Sequence, residues 1–404
     1  MTLRLLRFAV FVLSVVGLAA ATASAQTIAR CGDGWLEKID GALVLHLKGS
    51  PYEMGYQHGA LLKSQVRGNL HNLIEVKARE HTLVEMGPLK VTPRAAVEAI
   101  QFIQKPYVAE RYIAEMEGVA RGSQTELADV RVANFIPELF HCSGFAVSGS
   151  ATTNGEMYHG RVLDYAVDWG LQDHAVLIVA EPEGRLPWVN VGYAGFIGSV
   201  TGMNAEHVSV GEMGGGGLGH WEGRPMSLLV REALETAKSL DEAIAVFRDG
   251  PRTCQYFYVI ADGETGKAVG MEASWDVFQT IYPGTAHPLL PTAVPDCVLL
   301  SAGDRYQELV KRAQQRHGKL TPEIALELMA RPVAMKSNLH NVLFAPKSLD
   351  LWVAHATSDK QPAADQPYQK FSLKTLLSRK PAGDSPVLPM ESAVTAKVSQ
   401  RSDK

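Results

Sequence analysis

Around His141 and Cys142 the apolar residues change their period. Upstream, Met54, Leu61, Leu62, Leu70, Leu73 and Ile74 recur at helical spacing behind Ser50-Pro51-Tyr52-Glu53. That tetrapeptide is a helix start, with Ser as cap, Pro at the first helical position and Glu closing a capping box. The spacing predicts helices over 50–77, 106–120 and 125–135, so residues 26–141 read as a mostly helical segment. Downstream, short apolar or alternating runs are broken by turn residues, and Asn154-Gly155 between 145–147 and 157–163 is a hairpin signal. Strands are expected over 175–180, 188–193, 208–213, 255–261, 268–273, near 342 and over 351–354. Helices are expected over 225–238, 240–248, 304–316 and 321–329. Runs of strands separated by paired helices predict an α+β layered fold with antiparallel sheets, not a regular βαβ alternation.

The composition supports a sizeable core, since 46% of the 404 residues are hydrophobic and 20% charged. The net charge is −4 and no basic block is present, so nucleic acid is not an expected partner. Four cysteines without zinc spacing predict neither a disulfide scaffold nor a metal site, and no cofactor is expected. Residues 1–25 read as a cleavable secretory signal: Arg4 and Arg7 precede an apolar run, and Ala23-Ser24-Ala25 precedes Gln26. The apolar run is shorter than the ~20 residues that a bilayer span needs. A secreted or periplasmic protein without a stable membrane span is expected. From 379 to 404 the Pro, Ser and Lys content predicts a solvated tail, leaving 142–378 as the core.

Cys142 sits at the period change, followed by the small residues Ser143 and Gly144. It is either a nucleophile activated by its surroundings or a buried structural thiol. Across the Asn-Gly turn lies His159-Gly160-Arg161-Val162-Leu163-Asp164-Tyr165. A guanidinium there would favour thiolate, and a carboxylate would orient an ammonium or thiol proton. Residues three apart on a regular strand face opposite sides. Arg161 and Asp164 therefore both reach Cys142 only if the strand ends or bulges between them.

Cys142 followed by strand, turn, strand and Gly160-Arg161-Val162-Leu163-Asp164-Tyr165 resembles the Cys…G-R-N-L-D-W signature of choloylglycine hydrolases, penicillin V acylases and acid ceramidases. Gly49-Ser50-Pro51-Tyr52-Glu53-Met54-Gly55-Tyr56-Gln57-His58-Gly59 is similar to the isopenicillin N acyltransferase-like branch of the same N-terminal nucleophile superfamily. Val162 stands where those families usually have Asn. The resemblance implies a four-layer αββα sandwich and a precursor cleaved autocatalytically between His141 and Cys142. Cys142 would then be both N-terminus and nucleophile, with its own α-amine as general base. The reference pKa of an α-amine, ≈ 7.7–8.0, suits that role. His141, His159 and His174 are then structural or pocket residues, a Cys–His dyad being the alternative.

The same resemblance assigns the remaining roles. The substrate is a small N-acyl amide, attacked to form an acyl thioester and passed to water or an amine. Gly214, in the glycine run that follows Gly202-Met203-Asn204, would offer an oxyanion amide. Arg305 in Gly303-Asp304-Arg305-Tyr306 would be a second positive group. Ser301-Ala302 replace the family's oxyanion Asn, so Asn338 in Ser337-Asn338-Leu339-His340-Asn341 is the substitute donor. Asn204 is assigned to substrate binding, and from the residues themselves Phe145, Tyr165, Trp169 and Phe196 read either as the lining of an apolar acyl pocket, with Phe145 and Tyr165 binding substrate, or as ordinary core. Cys254 and Cys297 read as inert core, and Cys31 as an exposed thiol. A thiol-dependent lipid or ester acylhydrolase, and an exported binding protein without turnover, are the competing functions.

Overall fold

The computed structural model describes residues 25–77, 84–86, 89–136, 142–165 and 167–391. The expected signal segment up to residue 24, His141 and residues 392–404 lie outside that set. The chain opens with three strands where a helical segment was expected: β1 (Ala25–Cys31), β2 (Gly34–Ile39) and β3 (Ala42–Gly49). The signal for them is Asp40-Gly41, both at positive φ (44° and 93°), the two-residue turn that pairs Ile39 with Ala42.

The expected helices follow. Ser50 caps α1 (Pro51–Leu61) through a complete capping box with Glu53. Next come α2 (Lys63–Leu70), which runs into a π-helical stretch (His71–Lys77), the short β4 (Val84–Met86) and β5 (Leu89–Val91), then α3 (Pro93–Gln104), α4 (Glu110–Ser123) and α5 (Leu127–Asn134). α1 and α4 cross almost backbone to backbone. A Cβ on Gly55 would lie 2.0 Å from the Glu115 carbonyl oxygen, and one on Gly122 2.2 Å from that of Tyr56. Glycines four apart on each helix permit that approach.

After Cys142 come β6 (Ser143–Gly149), β7 (Gly155–Asp164), β8 (Ala175–Pro182), β9 (Trp188–Tyr193), β10 (Thr201–Asn204) and β11 (Val208–Gly216). The chain continues through α6 (Met226–Thr236), α7 (Leu240–Arg248), β12 (Gln255–Asp262), β13 (Lys267–Ser274), β14 (Phe278–Ile281) and β15 (Cys297–Leu300). It ends with α8 (Gly303–Arg316), α9 (Pro322–Leu328), β16 (Asn338–Ala345), β17 (Asp350–His355), β18 (Gln369–Ser372), α10 (Leu373–Ser378) and β19 (Val387–Leu388).

Two sheets form the centre, an 11-stranded one ordered β14-β13-β12-β11-β10-β9-β8-β3-β2-β1-β19 and a 6-stranded one ordered β15-β6-β7-β16-β17-β18. They face each other through β6, β7, β11 and β12, with α1, α6 and α7 packed on the large sheet and α8 and α9 on the small one. This is the expected αββα layering. The large sheet is mixed instead of purely antiparallel, because β3 pairs parallel with β8 and β1 with β19. A parallel pair needs a long crossover, and the helical segment together with β6 and β7 supplies it between β3 and β8.

The terminal stretch corrects another expectation, since residues 379–391 are packed on the N-terminal strands. Arg379 forks Glu37 at 2.8 and 2.7 Å, and β19 pairs Val387 with Arg30 and Leu388 with Cys31. Cys31 is therefore buried, not exposed. Burial pushes its thiol up to about 11, and those of Cys254 and Cys297 to about 11 and about 12.

Candidate active site

The β6–β7 hairpin positions the reactive groups. Ser143 pairs with Val162, Gly144 with Arg161 and Phe145 with Gly160. Continuing that register by one residue sets Cys142 level with Leu163. Alternation along the strands then sorts the side chains by face. Cys142, Arg161 and Leu163 turn toward the large sheet, while Ser143 and Asp164 turn toward α8.

On the inner face Arg161 is fully buried and donates to Glu212 on β11 at 3.4 Å. Directly opposite Gly144, it stands diagonally across from Cys142, within reach of a long side chain. Cys142, 3% exposed, lines a cleft of about 340 Å³ with Met213, Gly214, Gly215, Gln255, Phe257 and the chain from Leu300 to Gly303. The expected Gly214 is thus beside the thiol, where β11 departs from regular pairing with β12 between Gly214 and Gly216. A bulge there frees backbone from the ladder.

On the outer face Asp164 is enclosed. Arg305 donates to its Oδ2 at 2.6 Å and the Met335 amide to its Oδ1 at 2.9 Å. Burial nevertheless wins over these partners and pushes the Asp164 carboxyl up to about 6. Arg305 also reaches Ser143 Oγ at 3.4 Å, and Ser143 shares a 2.7 Å hydrogen bond with Ser301. Strand β7 ends at Asp164, and the bulge lies on its partner β16, between Asn338 and His340. Arg161 and Asp164 consequently bracket the Cys142 position from opposite faces instead of converging from one.

Three expected site residues do not line the cleft. The Asn338 amide donates to the carbonyls of Leu163 and His340 and to Asn341 Oδ1, so it braces the end of β7 and does not line the cleft. Asn204 is a turn brace, donating to Leu234 and Ala237 carbonyls and accepting from the Glu206 and Val208 amides. Phe145 is core, its ring lying over Gly160, where a Cβ would meet it at 2.2 Å. Tyr165 does face a cavity, described below, and packs edge-on against Trp169 with centroids 5.8 Å apart.

No described histidine lines the cleft. His159 hydrogen-bonds Ser209 at 2.8 Å, and burial holds it down at about 3, as a neutral ring. His174 does not line the cleft either. Sequence reasoning missed Glu212, Ser143 and Ser301. The one available signal was Glu212, an acidic residue inside the apolar run 208–213. No cluster of metal-ligating side chains occurs among the described residues.

Comparison with known proteins bears out the resemblance read from the motifs. Residues 151–283 match the family described as acyl-coenzyme A:6-aminopenicillanic acid acyl-transferase, a stretch that contains Arg161, Asp164, Glu212 and Gly214. The protein dcd1A of Dictyostelium discoideum is 28% identical over 290 residues, 62% of this chain and 65% of that protein. The N-acylethanolamine-hydrolyzing acid amidase of Cavia porcellus is 23% identical over 190 residues, 44% of this chain and 51% of that one. Among solved structures, the Caenorhabditis elegans ortholog of the same amidase overlays with a TM-score of 0.42 and 16% identity, covering 57% of this chain and 99% of that one.

Proposed function

We infer, for a chain related over residues 151–283 to the acyl-coenzyme A:6-aminopenicillanic acid acyl-transferases, a cysteine amidohydrolase or acyltransferase activity centred on Cys142. The observation that carries this reading is the bracketing of Cys142 by Arg161 on one face of the β6–β7 hairpin and the Asp164–Arg305 pair on the other. Peptide cleavage before Cys142 exposes its α-amine on the Asp164 side of the hairpin. The amine takes the thiol proton and the thiolate, in the field of Arg161, attacks the amide carbonyl. The tetrahedral oxyanion is held by a backbone N–H of the Gly214–Gly215 bulge. Collapse of the intermediate expels the amine, which leaves with the proton held by the α-amine. Water or a second amine then attacks the thioester and restores the thiol. Asp164, ionised above about pH 6, orients the α-ammonium.

Export belongs to the same proposal, resting on the signal-like residues 1–25. Mass spectrometry of protein purified from the periplasm or medium is expected to give two polypeptides, one starting at Cys142. Cys142→Ala is expected to stay as one chain and to lose turnover of acyl amides by more than about 10⁴-fold. A single uncut wild-type chain with undiminished activity in Cys142→Ala defeats the reading.

A further inference from the structure

A second cavity, of about 110 Å³, lies beside the Cys142 position on the inner face of β7. Its walls include Leu163 and Tyr165, alternate residues on the face that carries Arg161, together with Val191, Phe196, Met226 and Ile136. Leu163 is the residue level with Cys142, so the cavity begins one cross-strand spacing from the thiol, about 5 Å. It is distinct from the cleft that contains Gly214 and the start of α8.

Asn134, Asn190 and Tyr193 in the cavity wall are already hydrogen-bonded within the protein. Asn134 donates to the Val130 and Gly195 carbonyls at 2.9 Å each and accepts from the Ile197 amide at 2.8 Å. Asn190 donates to Gly198 at 3.1 Å and accepts from Ser199 Oγ at 2.8 Å. The Tyr193 hydroxyl is hydrogen-bonded to His340 at 3.1 Å. An occupant would therefore meet mostly hydrocarbon, and a charged one would lose its hydration without full replacement.

We propose that this cavity is the acyl subsite and that its volume restricts the enzyme to short straight-chain acyl amides, from butanoyl to hexanoyl. The proposal rests on the function inferred above and adds the substrate class. An apolar cavity of about 150 Å³ holds one benzene, six carbons, so 110 Å³ accommodates roughly three to five carbons beyond the carbonyl. The outer carbons of a long fatty acyl chain would have to lie beyond this volume. The amine half of the substrate, or the acceptor, takes the wider Gly214 cleft on the other side of the thiol. Because Ile136, Ala133 and Leu73 belong to the N-terminal segment, the subsite is built from both sides of the expected cleavage point and is incomplete without that segment.

The test uses full-length enzyme and a series of acyl amides of 7-amino-4-methylcoumarin from acetyl to hexadecanoyl, with phenylacetyl. Maximal kcat/KM is expected at butanoyl to hexanoyl, with at least a tenfold fall by dodecanoyl. Met226→Ala, which enlarges the cavity, is expected to move the optimum two or more carbons longer, and Ala133→Leu to move it toward acetyl. A turnover-independent readout covers the case of a variant that does not fold: hexanoate is expected to slow iodoacetamide labelling of wild-type Cys142 more than dodecanoate does. Turnover that peaks at dodecanoyl or longer, or an optimum that stays in place in both folded variants, overturns the subsite while leaving the Cys142 chemistry intact. No turnover of any amide in an uncut protein overturns the function itself.

Discussion

Two arginines paired with carboxylates are held very differently in this molecule. Arg231 on α6, only 1% exposed, is enclosed on all sides. It donates to both Glu115 oxygens at 2.9 and 2.6 Å, to Glu235 at 2.8 Å and to the Ile197 carbonyl at 2.7 Å. Its guanidinium also lies over Tyr112 and Trp188 at 5.1 and 5.3 Å. Because Glu115 and Tyr112 sit on α4, this cluster staples the N-terminal segment to the core. Arg305, by contrast, keeps 15% of its side chain accessible while gripping Asp164. A charge pair closed off from water stabilises only when every group is met, whereas one left at the edge of a cleft can still respond to a proton or a substrate.

The largest separation of the two is expected from Asp164→Asn, which should lower kcat by about 10²–10⁴ while changing the melting temperature little, since Arg305 can resolvate. The same variant sharpens a pH argument. The folded carboxyl titrates at about 6 against 3.8 unfolded, so the folded state binds the extra proton between those values. Stability from this group is greatest at low pH and falls as pH rises toward 6, and denaturant titrations of Asp164→Asn should show that slope flattened. In the wild type, activity should rise with pH through about 6 as the carboxylate forms.

Glu115→Ala should do the reverse: it leaves the buried Arg231 with Glu235 as its remaining carboxylate and costs about 3–5 kcal/mol in urea unfolding, with kcat of the folded fraction preserved. A drop in kcat without loss of stability would break the comparison. Gly55→Ala probes the same interface more gently, pushing a methyl against the Glu115 carbonyl. It should destabilise by about 1–3 kcal/mol. Lys48→Ala, which removes an exposed ion pair with Glu181 at 3.3 Å, should change stability by less than about 1 kcal/mol.

Much of the site was legible because chemistry leaves residue types that packing does not require. Cys142, Arg161, Asp164, Gly214 and Arg305 were read from motif order, and the structure sets all five around one hairpin end. Asn338 and Asn204 do not line the cleft, and an asparagine at a strand end looks the same in sequence whether its amide faces a substrate or, as in both cases, braces neighbouring carbonyls. The opening strands went unread although Asp40-Gly41 announced a hairpin, since the strong capping box at Ser50 weighted the whole segment toward helix. The C-terminal stretch looked solvated because its anchors are long-range: Arg379 meets Glu37 across 342 residues, and β19 pairs with β1.

Local sequence alone determined the helix starts, the Asn154-Gly155 hairpin and the alternation that places Arg161 and Asp164 on opposite faces, because these depend on neighbours within a few bonds. Tertiary structure decided that Glu212 meets Arg161, that Arg305 meets Asp164 across 141 residues, and that a largely apolar cavity abuts Leu163. Those outcomes follow from how two sheets stack, and no short-range pattern encodes the residue that a buried charge will find on the facing sheet.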